Sequence, residues 1–356
     1  MFASVGYNQQ ALLDTVNQAS GGAPLSGCSG EGIISLGEAD ESNFSVATMV
    51  IQSDELVFKN AHATGLKRNP SLCGEKIAHD LSACINKETI GMFVFVDGLT
   101  VNFDSFKAAL EDNLKLDRFI PMFGGLSADN WEMKRTYQYC NNRVISDGAV
   151  CTLMSGKARI AWVVNHGCVP IGAEHEITRC EGNTIYEIDS MPVLEVFKEY
   201  LDEEEINNWS RAVVNLCLGF KRPNTMPGYD EYLIRFMPTK DDEKGSITIS
   251  TETENGTKFW MTRRDQEKIA NGVRNAASRI KEAIGDQMIK MVFHFDCAGR
   301  GKVVFRDQLK IQLLKELQEK VGNSIPWIGF YTLGEIGPVG NQNHFHNYTA
   351  IISAVY

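Results

Sequence analysis

Short apolar runs and amphipathic stretches follow one another in an order that recurs three times along the chain. The first round opens with Phe2-Ala3-Ser4 and passes through a helix-spaced stretch over 9–19. It reaches Ala23-Pro24-Leu25 and the loop Ser26-Gly27-Cys28-Ser29-Gly30-Glu31-Gly32, and an apolar strand over 44–52 closes it. The second runs from Met92-Phe93-Val94-Phe95-Val96-Asp97-Gly98 through a helix over 104–114 to Ile120-Pro121-Met122-Phe123-Gly124-Gly125-Leu126-Ser127, with a strand over 149–154. The third runs from Met291-Val292-Phe293-His294-Phe295-Asp296-Cys297 through a helix over 307–321 to Ile325-Pro326-Trp327-Ile328-Gly329-Phe330-Tyr331, with a strand over 348–355. Leu12/Val16/Ala19, Phe106/Leu110/Leu114 and Leu314/Leu317/Val321 have the spacing of one helix face. Asn8, Asp104 and Asp307 stand where N-caps are expected. Apolar strands joined through a helix pair in parallel by a right-handed crossover. The pattern predicts an α/β protein of repeated strand-helix-strand-strand units, forming mixed sheets with flanking helices in two domains.

Two further amphipathic helices precede the second and third rounds. One carries Leu72, Ile77, Leu81 and Ile85; the other carries Ile269, Val273, Ala276, Ile280 and Ile284, closed by Gly285 as a C-cap. The first round has no such helix, so the first helix of the architecture is expected to be missing, through a late start or with its packing surface covered otherwise. Between rounds two and three, strands are expected near 159–164, 211–220, 232–237 and 246–251, with a loop over 223–227. A helix after Pro192 puts Leu194, Phe197 and Leu201 on one face, and the acidic run 202–205 reads as a solvated helix end. The turn at Ser190-Met191-Pro192 divides the chain into expected domains 1–190 and 191–356.

Composition narrows the classes. Hydrophobic residues are 43% and charged residues 22%, which excludes a disordered chain, a collagen and a coiled coil. Lys plus Arg number 35 against 45 Asp plus Glu, a formal charge of -10. Nucleic acid, which needs a basic face, is therefore not an expected partner, nor is an anionic membrane. No run approaches the roughly eighteen apolar residues of a membrane span, and the start has neither the basic nor the apolar region of a secretory signal. The nine cysteines form no C-x-x-C pair, which points to a reducing, cytoplasmic setting.

Chemistry is expected at the loops. Ligands of open α/β sheets bind beyond the carboxyl ends of parallel strands. Gly27-Cys28-Ser29-Gly30, Phe123-Gly124-Gly125 and Gly329-Phe330-Tyr331-Thr332-Leu333-Gly334 occupy that place and are expected to converge around a hollow. Glycine there either admits a ligand to the backbone or only makes a tight turn. Catalysis fits less well: Gly27-Cys28-Ser29-Gly30-Glu31 departs from G-x-S-x-G at Glu31, and no histidine lies near Cys28 or Ser29 in sequence. No P-loop is present, and no G-x-G-x-x-G follows a strand. Cys297 precedes Arg300, whose guanidinium could lower a thiol pKa, fork onto a carboxylate or phosphate, or clamp the loops by pairing with Glu335. The plain alternative is a small buried residue beside a turn. His344-Phe345-His346 alternates, so both imidazoles face one side of a strand; such histidines bind metal, ligate a haem axially, or are hydrogen-bonded structural residues. Trp327, Phe330, Tyr331 and Phe345 read either as an aromatic lining or as core.

These residues resemble a known family. Cys297-Ala298-Gly299-Arg300-Gly301, the run from Gly329 to Gly340, and His346-Asn347-Tyr348-Thr349 are similar to the C-terminal signature of FIST sensory proteins. Gly27-Cys28-Ser29, Gly124-Gly125-Leu126-Ser127-Ala128-Asp129 and Gly167-Cys168-Val169-Pro170-Ile171-Gly172 resemble the N-terminal half, and 179–189 the joining segment. The resemblance implies a non-enzymatic, ligand-sensing protein of signal transduction, taking a small molecule such as an amino acid. One branch of the family implies haem and nitric oxide sensing instead, with His346 as axial ligand. Output would pass to a separate histidine kinase or cyclic-di-GMP enzyme, as in two-component systems. The residues expected to bind are Gly27, Cys28, Ser29, Gly124, Gly125, Cys297, Arg300, Tyr331, Glu335, His346 and Asn347. A thiol-dependent enzyme using Cys28 or Cys297 is the competing reading.

Overall fold

The computed structural model describes residues 1–114, 118–221, 229 and 232–356. The three rounds fold as three copies of one unit. Unit one comprises β1 (Phe2–Ala3), α1 (Gln9–Ala19), β2 (Ser26–Ser29), the hairpin β3 (Ile33–Ser35) and β4 (Glu38–Asp40), and β5 (Val46–Ala47). Strand β6 (Leu56–Thr64) and α2 (Pro70–Ser82) lead into unit two. That unit comprises β7 (Thr89–Asp97), α3 (Phe103–Leu114), β8 (Met122–Ser127), the hairpin β9 (Gln138–Cys140) and β10 (Arg143–Ile145), and β11 (Gly148–Gly156). After β12 (Ile160–Asn165) comes an inserted sheet: β13 (Cys168–Glu181), β14 (Thr184–Ile188), β15 (Met191–Pro192), β16 (Leu216–Lys221), β17 (Tyr232–Arg235), β18 (Lys240–Asp241), β19 (Ser246–Thr248) and β20 (Lys258–Arg264). Short helices α4 (Val193–Phe197), α5 (Glu203–Asn207) and α6 (Trp209–Ala212) lie within it. Helix α7 (Gln266–Ile284) leads to unit three: β21 (Met291–Cys297), α8 (Asp307–Val321), β22 (Trp327–Thr332), the hairpin β23 (Glu335–Val339) and β24 (Gln342–His346), and β25 (Ala350–Val355).

In each unit the first two strands pair in parallel around the crossover helix, as β1–β2, β7–β8 and β21–β22. The last strand closes antiparallel on the first, as β5, β11 and β25. The hairpin after the second strand leaves its own sheet. β3 pairs with β22, β23 with β8, and β9 with β2. Each unit thus lends a hairpin to another in a closed cycle, from one to three, three to two and two to one. The sheets of units two and three gain an edge strand, β6 on β11 and β12 on β25, whereas the sheet of unit one ends at β5.

One glycine holds the same register in every parallel pair. Gly27 faces Met1, Gly124 faces Val94 and Gly329 faces His294, and a Cβ there would lie 1.7, 2.0 and 1.8 Å from the facing carbonyl oxygen. Only a hydrogen leaves room for the neighbouring strand, and this explains the recurring glycine. Strand alternation then sends one face of each sheet outward and one inward. Outward faces meet helices: Val94 and Val96 meet Ile77 and Phe106; Val292 and Ile352 meet Ile280 and Leu317; Tyr139 meets Leu13. Inward, Phe2, Phe95 and Phe295 occupy equivalent positions, their ring centroids 5.2, 6.2 and 6.1 Å apart in a triangle.

The mixed α/β architecture is as the pattern predicts; several local expectations are corrected. The strand over 44–52 is paired only at Val46–Ala47. Asp104 and Asp307 lie inside the first helical turn; the Asn102 side chain accepts from Ser105 N at 3.1 Å, and Arg306 makes no side-chain cap. Leu72 faces solvent, and Ile85 lies beyond the end of α2. The stretch 211–220 divides into α6 and β16, because the indole of Trp209 is buried, donating to Met237 O at 2.9 Å. The acidic run is a short helix with a capping box between Asp202 and Glu205. The loop over 223–227 lies outside the described residues. The turn at 190–192 does not end a sheet, since β13 and β14, before it, pair with β20 and β19, after it.

Candidate functional site

The loops at the carboxyl ends of the three parallel pairs do meet. Ser29 Oγ donates to Ala128 O at 2.6 Å, Leu126 N donates to Gly334 O at 2.8 Å, and Glu31 N donates to Tyr331 O at 3.0 Å. The expected hollow between them is filled by protein. A Cβ on Gly125 would lie 2.6 Å from Thr332 Cγ2 and one on Gly30 2.9 Å from Phe330. Backbone approaches backbone at Gly27, Gly124 and Gly125. Cys28 points into the central core, where burial pushes its thiol well above the usual range. Ser29 Oγ also accepts from Tyr137 N at 3.0 Å, so its hydroxyl is committed to the fold. Two acids mark this seal. Burial pushes Glu31 up to about 7 while Trp131 N donates to it, and Asp129 accepts from the amides of Met133, Lys134 and Arg135. Asp129 was outside the expected set, although Glu31 stood out as the residue that breaks the G-x-S-x-G pattern.

The remaining expected residues lie on unit three. Arg300 is buried and donates from Nε to Asp296 Oδ1 at 2.7 Å and from Nη1 to the carbonyls of Asn165 and His166. Burial opposes ionisation of Asp296, but Arg300 and His294 hold its pKa below the usual range. Arg300 and Glu335 therefore do not form the expected clamp. Glu335 instead accepts from Thr332 Oγ1 at 2.5 Å and Thr349 N at 3.0 Å, and burial raises it to about 8. Cys297 is buried and its thiol pushed well above the usual range, mainly by burial and then by Glu335. Neither candidate cysteine has the exposed, electropositive surroundings that make a thiolate. Tyr331 is buried beneath the Lys310 ammonium, 5.6 Å from its ring, and Lys310 pairs with buried Glu41 at 2.6 Å.

His344 and His346 do share one side of β24, with ring centroids 6.2 Å apart. His346 is fully buried and its Nε2–H donates to Gly337 O at 3.1 Å, with the Tyr229 ring 6.1 Å away. A haem needs an open face on its axial histidine; this enclosed, hydrogen-bonded ring does not fit one. Among the described residues no group of three or more His, Cys, Asp or Glu is placed to hold a metal ion.

What the C-terminal signature does is join the three-unit body to the inserted sheet. Asn347 Oδ1 accepts from Phe236 N at 3.0 Å and from Ser250 Oγ. Tyr348 O–H donates to Val213 O, and Arg264 stacks over its ring while donating to Gly299 O. Arg235 Nη1 reaches Phe345 O at 2.9 Å. Beside this joint run two grooves of about 770 and 900 Å³ that share Leu233, Arg235, Thr251 and Glu252. The first is walled by charged residues of α3 (Asp104, Lys107 and Glu111) and by Arg118 and His344; the second adds Lys221, Lys258 and Trp260. Sequence reading missed Arg235 and Arg264, although a cation inside an apolar strand is a legible signal.

Family models for a FIST N domain and a FIST C domain match residues 1–191 and 194–338. The chain belongs to the FIST family. Domains of this kind are sensory domains of signal transduction. An uncharacterised protein of Mycobacterium bovis is 27% identical over 235 residues, 64% of this chain and 58% of that protein. One of Methanocaldococcus jannaschii is 27% identical over 309 residues, 81% of this chain and 56% of that protein. The aligned regions thus span less than two thirds of these FIST relatives. No helix among the described residues is long and apolar enough to cross a membrane.

Proposed function

We propose that this FIST protein senses a small polar molecule in the cleft between its three-unit body and its inserted sheet, and relays occupancy to a separate effector such as a histidine kinase or cyclic-di-GMP enzyme. The observation that carries this reading is the joint itself. The signature residues Asn347 and Tyr348 tie the two bodies by a few polar bonds directly beside the continuous grooves. A ligand that bridges the cleft changes the relation of the bodies, and a partner that prefers one relation then binds with altered affinity. By linkage the partner changes ligand affinity by the same factor. The mixed charge of Lys107, Glu111, Arg235 and Glu252 suits a zwitterion such as an amino acid. In this role Glu335, His346, Asn347, Cys297, Arg300 and Tyr331 position the joint from behind, and the loops of Gly27, Cys28, Ser29, Gly124 and Gly125 hold the body rigid. The nine free thiols suit a reducing, cytoplasmic compartment.

A thermal-shift screen of amino acids and other small metabolites tests the reading. A ligand at a hundredfold excess over its dissociation constant stabilises by about 2.7 kcal/mol, and Lys107→Ala or Glu252→Ala should abolish the shift. No stabilising metabolite, or one whose effect survives both substitutions, counts against the cleft.

A further inference from the structure

The hairpins lent among the three units bind the body into one piece. Phe2, Phe95 and Phe295 form a complete layer at its centre. In the next layer Phe93 and Phe293 lie 4.3 Å apart and border a cavity of about 310 Å³, which Ser26 also lines. The inserted sheet has a core of its own, in which Ile177, Ile247, Phe259 and Met261 pack on Val196, Phe197 and Trp209. Between the two bodies runs a seam whose ends are built differently.

At one end the chain itself crosses between the bodies, outward at 165–168 and back at 264–265. Asp265 N donates to Gly167 O at 3.1 Å, and buried Arg300 holds the carbonyls of Asn165 and His166. Gly167 has a φ of 73°, and a Cβ there would lie 2.8 Å from the backbone of Ile269, so the crossing requires glycine. From here each contact leads to the next. Arg264 lies over the ring of Tyr348, and Asn347 accepts from Ser250 Oγ. Two residues beyond Ser250, Glu252 meets the start of α3. Asn102 Nδ2 donates to Glu252 Oε1 at 2.7 Å, and Glu252 N donates to Asp104 Oδ2 at 3.1 Å.

Burial falls along this seam. Gly167, Arg300, Tyr348 and Asn347 are buried, Ser250 is half-buried, and Glu252 and Asn102 are exposed. Water competes for exposed hydrogen bonds and not for sealed ones, so the α3 end opens first. Glu252 stands in the wall of both grooves, and Asp104 in the wall of the first. The loop bearing Glu252 moves with the inserted sheet, because Thr253 N donates to Gly182 O at 3.0 Å and Gly256 N to Ile177 O at 2.8 Å.

Resting on the cleft reading above, we propose that the seam is a gate that opens from its exposed end. Glu252 leaves α3, the walls of the grooves part, and the crossing at Gly167 and Arg300 holds as the pivot. A small polar molecule enters while Glu252 is released and is enclosed when it returns. The closed seam is then the state that an effector reads.

The test is hydrogen exchange in the full chain with no ligand added. Protection at the Glu252 amide should be at least about a hundredfold lower than at the Asp265 amide of the crossing. Asn102→Asp keeps the oxygen that caps Ser105 N and replaces the donor to Glu252 with a further carboxylate. It should speed exchange at Glu252 by about tenfold and leave Asp265 unchanged. Two independent surface bonds would not respond in this way, since the Glu252 amide is bonded to Asp104 and not to Asn102. Should that variant not fold, Glu252→Ala, which keeps the amide and removes the carboxylate, should give the same loss of protection. Equal protection at Glu252 and Asp265, or unchanged exchange at residue 252 in the variant used, overturns the gate. Because no ligand is added, a gate that behaves as expected stands even where a metabolite screen of the cleft finds nothing, so the two readings fail separately.

Discussion

Units one and three share a strand order, a crossover helix and a register glycine, yet their surroundings differ. In unit three a seven-residue β21 is buried throughout, lies under α7 and α8, and belongs to a six-stranded sheet edged by β12. In unit one β1 has two residues, one helix covers its sheet, and the closing strand β5 has two residues. A two-residue parallel strand cannot hold a sheet by its own hydrogen bonds. Unit one persists because unit two lends it β9–β10 and because Phe2 sits inside the triangle made with Phe95 and Phe295. Fold stability here is shared by exchange.

The largest effects should come from breaking the complete layer. Phe295 is fully buried among Phe2, Phe95 and Phe330, so Phe295→Ala should cost about 3–5 kcal/mol by denaturant unfolding. Phe293 already borders the cavity, so Phe293→Ala should cost about 1–2 kcal/mol less. Equal losses would mean that the two layers are equally packed and would end the contrast.

The register glycines sharpen the same comparison. A Cβ at Gly124 would meet Val94 O at 2.0 Å, with a φ of 149° as an added strain, inside a strand paired on both sides. Gly124→Ala should therefore cost more than about 3 kcal/mol. Gly27→Ala faces an equal clash, at 1.7 Å, but with Met1, whose strand is held over two residues only. That strand can shift, so the loss should be smaller by about 1 kcal/mol or more. A greater loss at Gly27 would show that unit one is the stiffer partner.

Much of this frame was legible in the chain. The recurrence of Phe at alternate positions and of proline before glycine carried the three units, since strand alternation and strand approach are local properties. The cyclic loan of hairpins was not, because β3, β9 and β23 carry no mark of which sheet receives them. The glycine loops are ambiguous in the sequence for a related reason: glycine admits a ligand and a neighbouring strand alike, and only the Cβ positions of Gly27, Gly124 and Gly125 separate the two. The strand pattern over 44–52 was real, but a strand needs a partner, and 48–51 has none in the described structure. The joint at Asn347 and Tyr348 was not legible, since its partners Phe236, Ser250 and Val213 lie about a hundred residues away and the signature marks the residues without their contacts.

Glu335 makes the stability of the fold depend on pH. Its carboxyl titrates near 4.5 in an unfolded chain and about 8 in the fold, so the folded state keeps a proton that the unfolded state gives up between those values. Stability should be highest below that window and fall as pH rises through it, by about 5 kcal/mol in all. Glu335→Gln cannot lose that proton and should flatten the decline, read as melting temperature from pH 5 to 8.5. Glu31, raised to about 7, should leave a smaller residual slope in the variant. An unchanged slope in Glu335→Gln would place the titration elsewhere.

The smallest effect bears most directly on unit one. Ser26 holds the register position of Phe123 and Ile328, both of which face the central core, and it borders the cavity. Ser26→Leu adds apolar volume where the fold already provides space, so no neighbour need move. The gain should be about 1 kcal/mol, seen as a melting temperature higher by about 2 °C. The matching substitution Ile328→Ser removes the same group from unit three and should cost more than Ser26→Leu gains, because a closed layer cannot collapse around the loss. If Ser26→Leu destabilises, the cavity is already shaped by polar contacts of Ser26, and unit one is closed in a way that its two fellow units do not foretell.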